Sequence, residues 1–117
     1  MEIFEKRIYE EPSKSDGFRI LADRLWPRGV SKEKAAIDLW ANEISPSTEL
    51  RKSYHGKEID FAEFRKKYAA ELAKNPETQK SIEEIRKHKK ITLLTSVKEI
   101  DTSELPVLKE FIEKNAH

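Results

Sequence analysis

The residues best suited to chemistry in this sequence lie in one short stretch, residues 23–29, which reads DRLWPRG. Two of them, Arg24 and Arg28, could hold an anion, because a guanidinium group presents a planar fork of donors that matches phosphate and carboxylate oxygens. A helix predicted to begin at Ser31 would add free backbone N–H groups and positive potential. The stretch therefore predicts an anion-binding loop. Its predicted ligand-binding residues are Arg24, Trp26, Arg28 and Gly29.

Asp23, the first residue of this stretch, fits two different roles. In an enzyme it would act as an acid or base, or orient another group, beside the bound anion. In a purely structural loop it would pair with Arg24 or Arg28 and tie the preceding strand to the following helix. Trp26 likewise fits either a core residue or a pocket wall. The sequence favours anion binding without excluding the structural alternative.

Further candidates lie outside the loop. The imidazole of His55 could act as a general base, although a surface histidine that ends a helix is the ordinary alternative. Lys34 and Lys98 could reach an anion near the strand ends, or stay solvated. Arg51 and Arg65 lie on predicted helices, so that their stems could pack while their charged ends face the loop. The histidines lack metal-ligand spacing, and the sequence predicts no metal site.

Composition narrows the class of protein. The chain has 117 residues, which predicts one domain with a single core. Lys and Arg number 23 against 22 Asp and Glu, and the near-neutral total of +1 argues against a nucleic-acid binder. There is no cysteine, which excludes disulfides, thiolate metal sites and a cysteine nucleophile. With no signal-peptide pattern or run of membrane-spanning length, the sequence predicts a cytoplasmic protein without membrane contact, metal or redox cofactor.

Three apolar runs predict the strands that must position the loop: residues 3–9, 18–25 and 91–96. We expect strands 18–25 and 91–96 to be adjacent and parallel, with their C-terminal ends on the same side, because both flank predicted helices as in βαβ units. Ligands bind outside the C-terminal ends of such strands. The direction of the first strand stays open, since a short turn-forming segment such as residues 11–17 normally joins antiparallel strands.

Helical spacing of apolar residues accounts for most of the remaining chain. Behind a cap at Ser31, apolar residues recur at helical intervals up to Ile44, although Asp38 could interrupt this helix. Further helices are predicted to begin near residues 47, 60, 75 and 103. The pattern predicts a small single α/β domain of about three mostly parallel strands flanked by four to six helices.

Several segments carry a family likeness: DRLWPRG at 23–29, SKEK at 31–34, STELRK at 47–52, FRKKY at 64–68 and TLL at 92–94. On these segments the chain resembles the YeaO-like branch of domain-of-unknown-function family 488. The resemblance implies a small bacterial or archaeal α/β domain without an established activity. Longer relatives also imply that all three strands run parallel, with a shortened first crossover.

Two segments depart from the family pattern. Longer relatives have a Cys-His-Arg stretch near the last strand, whereas this chain has no cysteine. Close relatives have an Asn-His-Ala-like segment before the last helix, where residues 102–106 here read TSELP. If that segment helps to bind the family's ligand, part of the site is altered in this chain. Some relatives carry methyltransferase-like names, but this chain lacks a glycine-rich loop after a strand to hold an adenosyl cofactor.

Two functions from different classes remain open. The first is an enzyme that acts on a small phosphorylated or carboxylated substrate, with Asp23 as acid, base or orienting group and the loop arginines as anion clamp. The second is a non-catalytic module that binds a nucleotide, an RNA phosphate or another protein through the same loop. A concave pocket would favour the small molecule, and arginines splayed over a flat surface would favour a partner. The sequence leaves the oligomeric state open.

Overall fold

Four parallel strands form the central sheet of the computed structural model, which describes residues 1–116. They are β1 (Glu2–Arg7), β2 (Phe18–Leu21), β3 (Leu39–Trp40) and β4 (Lys90–Thr95), and they lie in the order β1–β4–β2–β3. The α-helices are α1 (Lys32–Ala35), α2 (Thr48–His55), α3 (Phe61–Lys74), α4 (Pro76–Ile85) and α5 (Leu105–Asn115). Short 3-10 turns lie at Lys14–Asp16, Asn42–Ile44 and Ile100–Thr102. Over residues 1–116, no helix has both the length and the apolar character needed to cross a membrane.

The two central strands are adjacent and parallel, as the sequence predicts. β2 pairs with β4 from Phe18 opposite Ile91 to Leu21 opposite Leu94. The last ladder bond runs from the N–H of Ala22 to the carbonyl of Leu94 (2.9 Å), so the predicted strand 18–25 extends too far at its end. Because the strands are parallel, both C-terminal ends lie at the same edge of the sheet, and residues 23–29 begin there.

The first strand also runs parallel, as the family resemblance implies. β1 lies beside β4 from Glu2 opposite Lys90 to Arg7 opposite Thr95. Since β4 separates β1 from β2, residues 8–17 do not form a hairpin and instead lead back to the start of β2. At Gly17 φ is +68°, and a Cβ atom would collide with the carbonyl oxygen of Lys90. Glycine is therefore required where this return path meets the sheet.

The predicted helix over residues 31–44 is wrong. α1 is a single turn, and β3 follows it as a fourth strand beside β2. Between them Ala36 adopts a left-handed φ of 47°. The cause is Asp38, whose carboxylate accepts from the N–H of Arg19 (2.9 Å) while its own N–H donates to the Arg19 carbonyl (2.8 Å). These bonds fix an extended segment where apolar spacing alone indicated a helix.

Both faces of the sheet are buried, but the two apolar cores differ in size. Successive residues of β2 point to opposite faces, so that Ile20 joins the larger core and Leu21 the smaller. The larger core includes side chains of α3, α4 and α5, among them the fully buried Tyr68. Around the smaller core pack the indoles of Trp26 and Trp40. The loop after β2 therefore covers the smaller core with its own tryptophan.

A buried ion-pair cluster around Asp16 holds the return path between β1 and β2. Its carboxylate accepts from Arg19 Nη1 (2.5 Å), Lys6 Nζ (3.1 Å) and the N–H of Ser13 (2.9 Å), and its carbonyl accepts from the Thr92 hydroxyl (2.7 Å). The side chains of Asp16 and Arg19 are only 6% and 5% exposed. Burial alone would raise the pKa of Asp16, but the hydrogen bonds from Ser13, Lys6 and Arg19 outweigh it and hold the pKa below its ordinary value.

We expect Asp16→Asn to lower the free energy of unfolding by roughly 3 kcal/mol at pH 7, because the buried guanidinium of Arg19 loses its charged partner. An acid whose pKa is depressed by folding stabilises the fold above its unfolded pKa, and this stabilisation is lost as pH falls through the folded pKa. The difference between parent and variant should therefore shrink at pH values below 3.8, the ordinary value for aspartate.

Denaturant unfolding at several pH values measures both effects. The control is Glu63→Gln, which removes an exposed ion pair with Lys67 and should cost less than about 1 kcal/mol. A loss for Asp16→Asn no larger than that of the control would contradict the structural role of the cluster.

Candidate functional site

The C-terminal ends of β2 and β4 open onto a cavity of about 400 Å³. Residues after β2 form one wall, α2 contributes another, and the segment that leads into α5 contributes a third. The volume lies within the usual range for small-molecule sites, about 300–1,000 Å³. Six of the side chains proposed from the sequence line it: Asp23, Arg24, Trp26, Arg28, Arg51 and His55.

Asp23 uses its carboxylate to join the ends of the two central strands. Its Oδ1 accepts from the hydroxyl of Thr95 (2.7 Å), and its Oδ2 accepts from the backbone N–H of Ser96 (2.9 Å). Its carbonyl accepts from Trp40 Nε1 (2.7 Å), which adds the edge strand β3 to the same junction. Within residues 1–116 Asp23 forms no ion pair with Arg24 or Arg28. Asp23 does have a structural role in this loop, but its partners are Thr95 and Ser96.

Glu104, which the sequence analysis did not select, completes this junction. The residue is buried, with 6% of its surface exposed. Burial, the negative charge of Asp23 and a hydrogen bond between the two side chains raise the pKa of Glu104 well above its ordinary value. The protonated form of Glu104, which donates to Asp23, is therefore favoured, and the pair carries less negative charge than two ionised carboxylates would. The sequence signal was its place in residues 102–106, the segment that departs from the family pattern.

Arg24 clamps the chain that leads into α2. Its Nε donates to the carbonyl of Pro46 (2.8 Å) and its Nη2 to the carbonyl of Ser45 (2.7 Å). Ser45 and Pro46 are both buried residues, and buried backbone carbonyls are normally hydrogen-bonded. Arg24 thus lines the cavity with a guanidinium group whose donors are largely committed to the backbone.

Two other arginines that line the cavity have guanidinium groups available to a ligand. In the part of the chain that the structure describes, the guanidinium groups of Arg28 and Arg51 form no hydrogen bond or ion pair. Arg28 is exposed and Arg51 is half-buried. His55 ends α2 beside them, with its ring edge-on to Tyr54 and 6.0 Å between the ring centroids. The cavity therefore combines unpaired positive charge with an imidazole.

Aromatic side chains give the cavity apolar walls. Trp26 donates its Nε1 hydrogen to the carbonyl of Val30 (2.7 Å) and packs edge-on against Trp40, with 5.3 Å between centroids. Tyr54 donates its hydroxyl hydrogen to the carbonyl of Thr102 (2.8 Å). Because the donors of both rings are already bonded, Trp26 and Tyr54 offer mainly apolar surface to a ligand.

The remaining predicted residues lie outside this cavity. Gly29 and Lys34 border a separate surface groove. Arg65 pairs with Glu110 of α5 (2.5 Å), and Lys98 is exposed and does not line the cavity. The predicted helix start adds little positive potential, since α1 is a single turn. No group of three or more His, Asp or Glu residues in the described range 1–116 is arranged to hold a metal ion.

Comparisons with known proteins identify relatives without a known activity. A family model described as the inactive DUF488-N3 subclade matches residues 2–117. The uncharacterised protein YeaO of Escherichia coli is 47% identical over 107 residues, which cover 92% of this chain and 93% of YeaO. An uncharacterised protein of Mycobacterium tuberculosis is 32% identical over 109 residues, which cover 91% of this chain and 89% of that protein. No solved structure gives a significant match. The resemblance drawn from the sequence is confirmed.

We expect Arg24→Met to destabilise the protein far more than Arg28→Met. The first change leaves the buried carbonyls of Ser45 and Pro46 without a donor, at about 1–3 kcal/mol for each unsatisfied group. The second removes an exposed side chain without a protein partner and should cost less than about 1 kcal/mol. Denaturant unfolding of both variants measures the difference. Equal losses, or a larger loss for Arg28→Met, would show that the two arginines are assigned wrongly.

Proposed function

Because the chain belongs to the inactive DUF488-N3 subclade, we propose that it binds a small anionic molecule in the cavity beside residues 23–29 without transforming it. The observation that carries this proposal is the pair of guanidinium groups, on Arg28 and Arg51, that line the cavity without a partner among residues 1–116. A guanidinium group binds phosphate or carboxylate oxygens through two parallel hydrogen bonds. By contrast, Arg65 on the outer surface is already paired with Glu110.

The candidate catalytic groups support binding rather than catalysis. The carboxylate of Asp23 already accepts hydrogen bonds from Thr95, Ser96 and the carboxyl group of Glu104, so it is a poor acceptor for a substrate proton. His55 has no hydrogen-bonded orienting group in the described part of the chain. A histidine that serves as a catalytic base is normally oriented by a third group.

The shape and charge of the site support a small ligand over a macromolecular partner. The arginines line a concave cavity of about 400 Å³ instead of a flat surface. The near-neutral net charge of +1 also lacks the strong basic character of nucleic-acid binders. Concave sites with apolar walls and a few converging polar groups are typical of small-molecule binding.

We expect inorganic phosphate and sulfate to bind the parent protein, and we expect Arg28→Met and Arg51→Met each to weaken that binding by about tenfold or more. The reason is that a hydrogen bond to a charged group contributes about 1.5–3 kcal/mol, and about 1.4 kcal/mol corresponds to tenfold in affinity. Titration calorimetry at low ionic strength provides the measurement, since salt screens exposed charges.

The matched control is Arg65→Met, which removes an exposed arginine outside the cavity and should leave anion affinity unchanged. If the folded parent protein bound neither anion at millimolar concentration, the proposed function would be refuted. Anion binding that survives intact in both cavity variants would equally refute it.

A further inference from the structure

The charges that line the cavity define the net charge of its ligand. Asp23 and Glu104 together contribute less than two negative charges, because burial and the negative charge of Asp23 raise the pKa of Glu104. Arg24, Arg28 and Arg51 contribute three positive charges, since guanidinium groups stay protonated in proteins. The cavity therefore has more than one positive charge in excess, before any contribution from His55. A dianion neutralises this excess, whereas an ammonium group would be repelled. A phosphate monoester carries about −1.5 to −2 charges at pH 7 and meets this requirement.

The carboxyl pair defines a second requirement, for hydrogen-bond donors. A carboxylate has about four lone-pair positions. On Asp23 the hydroxyl of Thr95, the N–H of Ser96 and the hydroxyl of Glu104 use three of them. Both residues line the cavity, and the lone-pair positions left on their carboxyl oxygens can accept further hydrogen bonds. Neutral hydroxyl groups satisfy such acceptors without adding the positive charge that the arginines oppose.

The aromatic walls define a third requirement, for apolar surface on the same molecule. Trp26 and Tyr54 have their donors bonded to Val30 and Thr102. They therefore present ring surface, against which C–H groups or a planar ring can pack. A sugar fits both this requirement and the previous one, because it carries hydroxyl groups on a frame of C–H groups.

We propose that the ligand is the phosphate monoester of a polyhydroxy compound, such as a pentose phosphate, free or as part of a nucleotide. Arg28 and Arg51 hold the phosphate, Asp23 and Glu104 accept hydrogen bonds from the hydroxyl groups, and Trp26 packs against the sugar frame. This inference rests on the proposed anion-binding function and adds the chemical class of the ligand. Asp23 and Glu104 are then specificity-determining residues.

The test compares three ligands on the parent protein by titration calorimetry: methyl phosphate, ribose 5-phosphate and adenosine 5′-monophosphate. We expect ribose 5-phosphate to bind at least about tenfold more tightly than methyl phosphate, because a hydrogen bond to a charged acceptor is equivalent to about that factor. Equal affinities would overturn the inference while leaving anion binding intact. If none of the phosphates bound, the proposed function itself would fail, so the two failures are distinguishable.

The nucleotide arm separates the two sources of the sugar phosphate. Adenosine 5′-monophosphate binding more tightly than ribose 5-phosphate supports a nucleotide ligand, and weaker binding supports a free sugar phosphate. Either result is consistent with a sugar phosphate as the ligand, provided that ribose 5-phosphate binds more tightly than methyl phosphate.

A variant of Glu104 tests whether the carboxyl pair accepts hydrogen bonds from the hydroxyl groups of the ligand. Glu104→Met has similar bulk but no acceptor, and it should reduce the preference for ribose 5-phosphate over methyl phosphate by several fold. Arg65→Met, outside the cavity, should retain the full preference. A folded Glu104→Met protein with an unchanged preference would overturn the role of Glu104. If this variant does not fold, the ligand series on the parent protein still decides the inference.

Discussion

The carboxylate of Asp23 is the junction on which the site depends. It is held by Thr95 and Ser96 at the end of β4, and it thereby fixes the loop after β2 against the neighbouring strand. Removing a carboxylate from water is costly unless hydrogen bonds replace its hydration, and these donors do so. Burial and the same negative charge raise the pKa of Glu104 well above its ordinary value, because two adjacent carboxyl groups resist ionising together. One group thus connects β2, β4 and the start of α5.

This junction determines which charges remain for a ligand. Because β4 and Glu104 satisfy Asp23, neither loop arginine is needed to neutralise it. Arg24 instead holds the carbonyls ahead of α2, which fixes the wall that carries Arg51. Arg28 and Arg51 line the cavity, and their guanidinium groups have no protein partner in the described part of the chain. The negative groups of the site are satisfied internally, and the positive ones remain available.

The sequence predicts the central strand pair and the loop well, because a short apolar run before a charged loop is typical of a buried strand that ends at a ligand-binding edge in an α/β protein. It does not predict β3. Asp38 fixes this extended segment through hydrogen bonds to the backbone of Arg19, and the spacing of apolar residues carries no information about such bonds. The sequence does not identify Glu104 as a site residue for a different reason. Glutamate is ordinarily exposed, and the burial of Glu104 arises only from the packing of the folded chain. Arg51 and Arg65 both lie on predicted helices beside apolar residues, so the sequence does not distinguish them. In the structure Arg51 lines the cavity, whereas Arg65 pairs with Glu110.

The most direct test of this account follows the protonation of the carboxyl pair by carbon-13 NMR on labelled protein. We predict that the side-chain carboxyl of Glu104 is protonated at pH 7 and titrates well above its ordinary pKa of 4.5. An acid whose pKa is raised by folding contributes stability below its unfolded pKa, and that contribution is lost as pH rises through the folded pKa. Glu104→Gln identifies the signal, because the variant lacks it. A Glu104 carboxyl that is fully ionised at pH 7 in the folded protein would contradict the shared proton, and with it the charge balance assigned to the cavity.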